Sequence, residues 1–184
     1  MTRLLATAAI ALAMPAHAQE SSGTITGLYN ADEAVWTIGS PDTEDIPASG
    51  WRDVEEGLAV TLVGMPGPAE VGRDDSTFDR TLVVTFTLEG QPQELNVTEP
   101  KVWMVSDAHE ERMVAQPINI DLSVTAAEMT GEDLAVAGDL VATLTPGGLE
   151  NVTIQSEDAV LIDGNFQATL VQAEENSGGG GDGT

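Results

Sequence analysis

The sequence predicts an all-β fold, an antiparallel β-sandwich with a small closed β-barrel as the alternative, and three observations carry that prediction. Apolar and polar residues alternate with period two in one segment after another, as they do in strands with one buried face. Clusters of Gly, Pro, Asn and Asp punctuate the chain at short intervals and divide it into about nine or ten strands. Helical periodicity is nearly absent. Only residues 106–112 and 126–133 suit a helical turn, and Gly131 with the β-branched Val124 and Thr125 argues against anything longer in the second.

Residues 1–18 read as a signal peptide rather than as fold. Arg3 supplies a positive start, residues 4–14 a short apolar run, and Ala16-His17-Ala18 a small-x-small cleavage site ahead of Gln19. An exported chain, periplasmic or secreted, is therefore expected. The apolar run is too short to span a bilayer and no later window is apolar enough, so no membrane span is expected either. The chain has no Cys, which removes disulfides, thiolate metal sites, Cys nucleophiles and a lipid-anchored N-terminus. A single β domain over residues 19–172 is large enough to fold on its core alone.

Residues 24–38 read as a hairpin turned at 30–33, with Trp36 between Val35 and Thr37. Pro41 and Pro47 mark the loop that follows, and Trp51 begins a mixed segment that settles into a strand in which Leu58, Val60 and Leu62 share a face. Met65-Pro-Gly-Pro68 and the charged run from Arg73 to Arg80 interrupt pairing. Residues 81–88 make the cleanest strand of the first half, with Leu82, Val84, Phe86 and Leu88 on one side. Residues 95–98 begin another, and Lys101-Val-Trp-Met-Val105 is apolar enough to be buried on both faces. Ile118, Ile120, Leu122 and Val124 then alternate with polar neighbours. Short strands are expected at 152–155 and 159–162, followed by an Asp163-Gly164 turn. The acidic, Gly-rich residues 173–184 cannot bury anything and are expected to be disordered.

One internal echo stands out. Gly138-Asp-Leu-Val-Ala-Thr-Leu144 is answered by Gly164-Asn-Phe-Gln-Ala-Thr-Leu170, and each places apolar residues at alternate positions. Leu140, Ala142 and Leu144 should share one face, and so should Phe166, Ala168 and Leu170. The glycine that opens each copy is expected to mark a bulge or a turn exit with positive φ. Either two ordinary strands or a short duplication accounts for the pattern.

Charge bounds the partners. Against 31 acidic residues stand six basic ones, a formal net charge of −25, and Arg3 is lost with the signal peptide. Such a surface repels nucleic acid and anionic lipid, leaving a protein, a small molecule or a glycan as the expected partner class. No cofactor is expected, with calcium as the alternative that acids in loops suit: Asp42, Glu44 and Asp45, or Asp74, Asp75 and Asp79, offer hard oxygen ligands, although neither run has the EF-hand pattern. Solvated acidic loops are the plainer reading of both.

Catalytic signals are sparse. His17 belongs to the signal peptide, so His109 alone remains, among Asp107, Glu110 and Glu111, and there is no Gly-x-Ser-x-Gly elbow. A carboxylate pair of the glycosidase kind needs no particular spacing, and Asp121 and Asp163 are the acids best placed beside strands. Trp36 and Trp51 adjoin loops and are candidate stacking platforms for a sugar, with a place in the core as the alternative. Asn96-Val-Thr98 and Asn151-Val-Thr153 match glycosylation acceptors. The expectation is thus a non-catalytic binding or structural protein, against a carboxylate-based hydrolase of extracytoplasmic polymers or an accessory subunit docking on a protein partner.

Overall fold

The computed structural model describes residues 20–41, 46–66, 80–91, 94–105, 112–147 and 159–173. They form nine strands: β1 Ser22–Tyr29, β2 Asp32–Ile38, β3 Gly50–Val54, β4 Gly57–Pro66, β5 Leu82–Gln91, β6 Glu94–Met104, β7 Met113–Thr130, β8 Asp133–Pro146 and β9 Val160–Val171. All pair antiparallel in one sheet, in the order β2-β1-β9-β8-β7-β6-β5-β4-β3. A further pairing of β2 with β4, at Trp36–Pro66, Thr37–Met65 and Ile38–Gly64, closes the hydrogen bonding into a ring. The ring is uneven and is not a regular barrel, because some neighbours share long ladders and others only two or three positions.

Local chemistry explains the joins. Asn30 and Ala31, with φ of 50° and 72°, turn β1 into β2, a geometry that Asn tolerates well. The turn is pinned to β9, since the Asn30 N–H donates to the Leu161 carbonyl and the Leu161 N–H donates to Asn30 Oδ1. On its edge away from β5, β4 serves two partners: residues 57–61 pair with β3 and residues 64–66 with β2. Ser49 fixes the crossing. Its buried hydroxyl donates to the Gly39 carbonyl and accepts from the Val63 N–H at 2.8 Å.

The expected faces hold along the clearest strands. Leu82, Val84, Phe86 and Leu88 are buried in β5, Leu140, Ala142 and Leu144 in β8, and Phe166, Ala168 and Leu170 in β9. They meet in one core, where the Phe86 and Phe166 rings lie 6.2 Å apart across the ring. Loop residue Ile46 covers Val63 and Val83 on the outer side, with Trp103 and Val105 against them. Lys101 is nevertheless exposed, so the run from Lys101 to Val105 is only partly covered outside.

Several local expectations change. Residues 126–130 continue β7 and residues 131–132 turn it into β8, so no helical turn forms there. β9 runs unbroken through Asp163 and Gly164, where a turn was expected, because Gly164 sits opposite Leu140 inside a ladder. Gly138 and Gly164 do not adopt positive φ; they make room. The two echo copies pair with each other so that each glycine faces the third residue of its partner, Gly138 against Phe166 and Leu140 against Gly164. A Cβ on Gly138 would sit 2.6 Å from the Phe166 ring and 2.1 Å from the Ser123 carbonyl oxygen. Ala173, the first residue of the expected tail, is held by an N–H donated to the Trp51 carbonyl.

Candidate functional site

The most unusual feature of the ring is the seam between β6 and β7. These strands pair at two positions only, Trp103–Val114 and Met104–Met113. Continuing that antiparallel register by three residues sets Pro100 against Pro117. Neither has an N–H to donate, so this level offers no hydrogen bond from either residue to resume the ladder, which has already ended at Trp103–Val114. Both strands are also irregular here. Glu99 has φ of 51° and the β5–β6 register slips between Thr85 and Thr87. β7 advances from Ala115 to Ile120 while β8 advances only from Leu144 to Ala142.

Beyond that level β7 keeps its ladder with β8 as far as Thr130–Asp133, but among the described residues nothing pairs with its other edge over residues 118–130. Ile118, at the parting, is 91% exposed, the most exposed of the large apolar side chains. Farther along, Ile120, Leu122, Val124 and Ala127 of β7 and Leu95 and Val97 of β6 pack on the core while remaining only half-buried. The seam thus combines a row of backbone groups unpaired among the described residues with partly uncovered apolar side chains. Asp121, Glu128, Asp139 and Glu99 stand exposed around it, with Lys101 on β6.

A second feature is a broad cleft of about 1270 Å³ beside β3. Ala59, Thr61, Thr85 and Thr87, on the outer faces of β4 and β5, contribute small side chains, and Arg52 and Lys101 stand on the flanking strands β3 and β6. Glu20, Glu55, Glu56 and Glu99 also line it, so its charge is mixed.

Both candidate stacking rings lie inside. Trp36 is 1% exposed and Trp51 5%. Trp36 donates its indole N–H to the Arg80 carbonyl, and Trp51 donates its own to the Glu132 carbonyl, each at 3.0 Å. Their faces are occupied by the core, which favours the packing alternative over a sugar platform. Asp121 and Asp163 do come together in one row: Val141 of β8 pairs with both, placing the two acids on strands β7 and β9, about 10 Å apart along the backbone. Both are exposed on the open outer face.

Residues 1–18, His109, the Asn151 triplet, the expected strand at 152–155 and the tail from 174 lie outside the described residues. So do both acidic runs proposed for calcium, Asp42, Glu44 and Asp45, and Asp74, Asp75 and Asp79. The described residues contain no cluster of three acidic or imidazole groups placed to hold a metal. Sequence reasoning missed the seam, although Pro100 and Pro117 within strand-like segments were its signal. Together, fold and site define an antiparallel β-ring with a free internal edge. Comparison with protein-family models, curated proteins and solved structures finds no match to this chain.

Proposed function

We propose that this is an exported, acidic, non-catalytic binding protein that works by docking on a partner molecule. The β7 edge carries this reading: a sheet that, among the described residues, leaves backbone donors and acceptors unpaired beside half-covered apolar side chains has a surface suited to association. The sheet is read as flattened into two facing layers, β4–β5–β6 across from β1–β9–β8, on the strength of the Phe86–Phe166 contact. That is the sandwich form of the fold. The net charge of −25 directs association away from nucleic acid and anionic membranes.

The test is native mass spectrometry of the protein recovered from its own export compartment at natural abundance. A discrete complex of fixed stoichiometry is expected, unchanged by Asp163→Asn. A bare monomer that degrades an extracytoplasmic polymer, and loses that activity in Asp121→Asn or Asp163→Asn, would replace this reading with the hydrolase.

A further inference from the structure

Resting on the binding role just proposed, we infer that the β7 edge takes a particular kind of ligand: an extended peptide with alternating apolar and basic residues, added as a strand along residues 118–130. Three observations converge on it. The edge is the side of β7 turned away from β8 and unpaired among the described residues, and β8 holds residues 120–124 and 126–130 in ladders on either side of a bulge at Thr125, so within each stretch the backbone groups are presented at strand spacing to accept another strand. On the inner face Ile120, Leu122 and Val124 recur at every second residue and remain half-buried, so apolar side chains at alternate positions of an added strand would cover them. On the outer face Asp121, Ser123 and Glu128 are exposed, with Asp139 of β8 paired beside Ser123; the intervening ligand positions therefore face carboxylates and favour Lys or Arg.

Charge also decides against the simplest rival, a second copy of this chain. Two copies meeting edge to edge would bring Asp121 and Glu128 of each against the same residues of the other, in molecules that each carry −25. Like charges opposite one another across paired strands oppose pairing. A basic strand gains from the same field, both in attraction and in the rate of encounter.

The probe is a synthetic peptide alternating Val and Lys, tested on the intact protein against three controls. One alternates Val and Glu, one carries the same Lys content on a Gly/Ser background, and one is the Val/Lys peptide N-methylated at alternate backbone amides. Amide hydrogen exchange is the readout. The Val/Lys peptide should slow exchange at the alternate amides within residues 120–124 and 126–130 that face away from β8, by about tenfold or more at low salt. The effect should weaken in the combined Asp121→Asn, Glu128→Gln variant. N-methylation should abolish it without touching the protein's fold, because it removes only the peptide's strand hydrogen bonds. Equal protection by the N-methylated or Gly/Ser peptide would mean attraction by charge alone and would overturn strand addition. Protection confined to residues outside β7, or a self-dimer through this edge in sedimentation, would overturn it as well. A natural complex whose footprint lies elsewhere would refute this inference while leaving the broader binding role intact.

Discussion

The β8–β9 and β6–β7 pairs are built from similar residues and end very differently. β8 and β9 pair without interruption from Asp133–Val171 to Leu144–Val160, with each strand's glycine opposite a large apolar residue of the other. β6 and β7 stop after two pairs, where the β5–β6 register slips between Thr85 and Thr87 and the β7–β8 register slips after Ala115. Hydrophobic pattern alone does not distinguish them: Ile120, Leu122 and Val124 alternate as cleanly as Phe166, Ala168 and Leu170. What distinguishes them is register: one ladder sets glycine opposite a large apolar residue, and the other meets a slip in each of its flanking registers.

The largest effect should come from the continuous side. Phe166→Ala removes a buried ring at the centre of the ladder and should cost about 3–5 kcal/mol in urea unfolding, with Phe86→Ala in the same range. Thr169→Ala, on the outer face, should cost far less; if it matched Phe166→Ala, the assignment of faces would be inverted. Gly164→Val comes next, at about 1–3 kcal/mol, because its Cβ would lie 2.5 Å from the Thr26 carbonyl oxygen and neither backbone can give way freely. Trp51→Phe keeps most of the buried ring but loses the hydrogen bond to the Glu132 carbonyl, for about 0.5–1.5 kcal/mol in thermal melts. The seam should yield the smallest change. Ile118→Ser should lie within about 0.5 kcal/mol of the parent, and a loss on the scale of Phe166→Ala would show that this side of the ring is packed after all.

Hydrogen exchange of the free protein sharpens the same contrast without mutation. Amides of β8 should exchange slowly on both of its sides, whereas in β7 alternate amides within residues 120–124 and 126–130, on either side of the bulge at Thr125, should exchange far faster than their neighbours, which β8 protects. Uniform protection along β7 would close the seam.

Much of the fold was legible because strand alternation is written locally. Phe86 and Phe166 could be assigned to the core from their own neighbours, and the hairpin of β1 and β2 from Asn30 and the strands around it. The long ladders were harder. Gly164 after Asp163 has the composition of a turn, and only the partner strand, which places Leu140 opposite, makes it the middle of a strand. β3 was obscured because Gly50–Val54 carries Trp51, Arg52 and Asp53 with no clean alternation, its place being set by β4 and by the contact with Gln172. The seam is non-local in the same way. Pro100 and Pro117 are each an ordinary strand interruption, and their meeting depends on a register that only the paired chain reveals. Trp36 and Trp51 show the converse: adjoining a loop says little about which way a ring points.

The pairing of β1 with β9 along the full length of β1 also has a consequence in time. During synthesis the first hairpin can form early, and β4 can later offer Trp36 to Ile38 a partner, but the other edge of the hairpin stays open until residue 171 has been made. Contacts between the two ends of a chain carry the largest loop-closure cost and slow folding accordingly. The last strand to emerge is therefore the one that shuts the ring, and any process that delays residues 160–171 holds the whole molecule open.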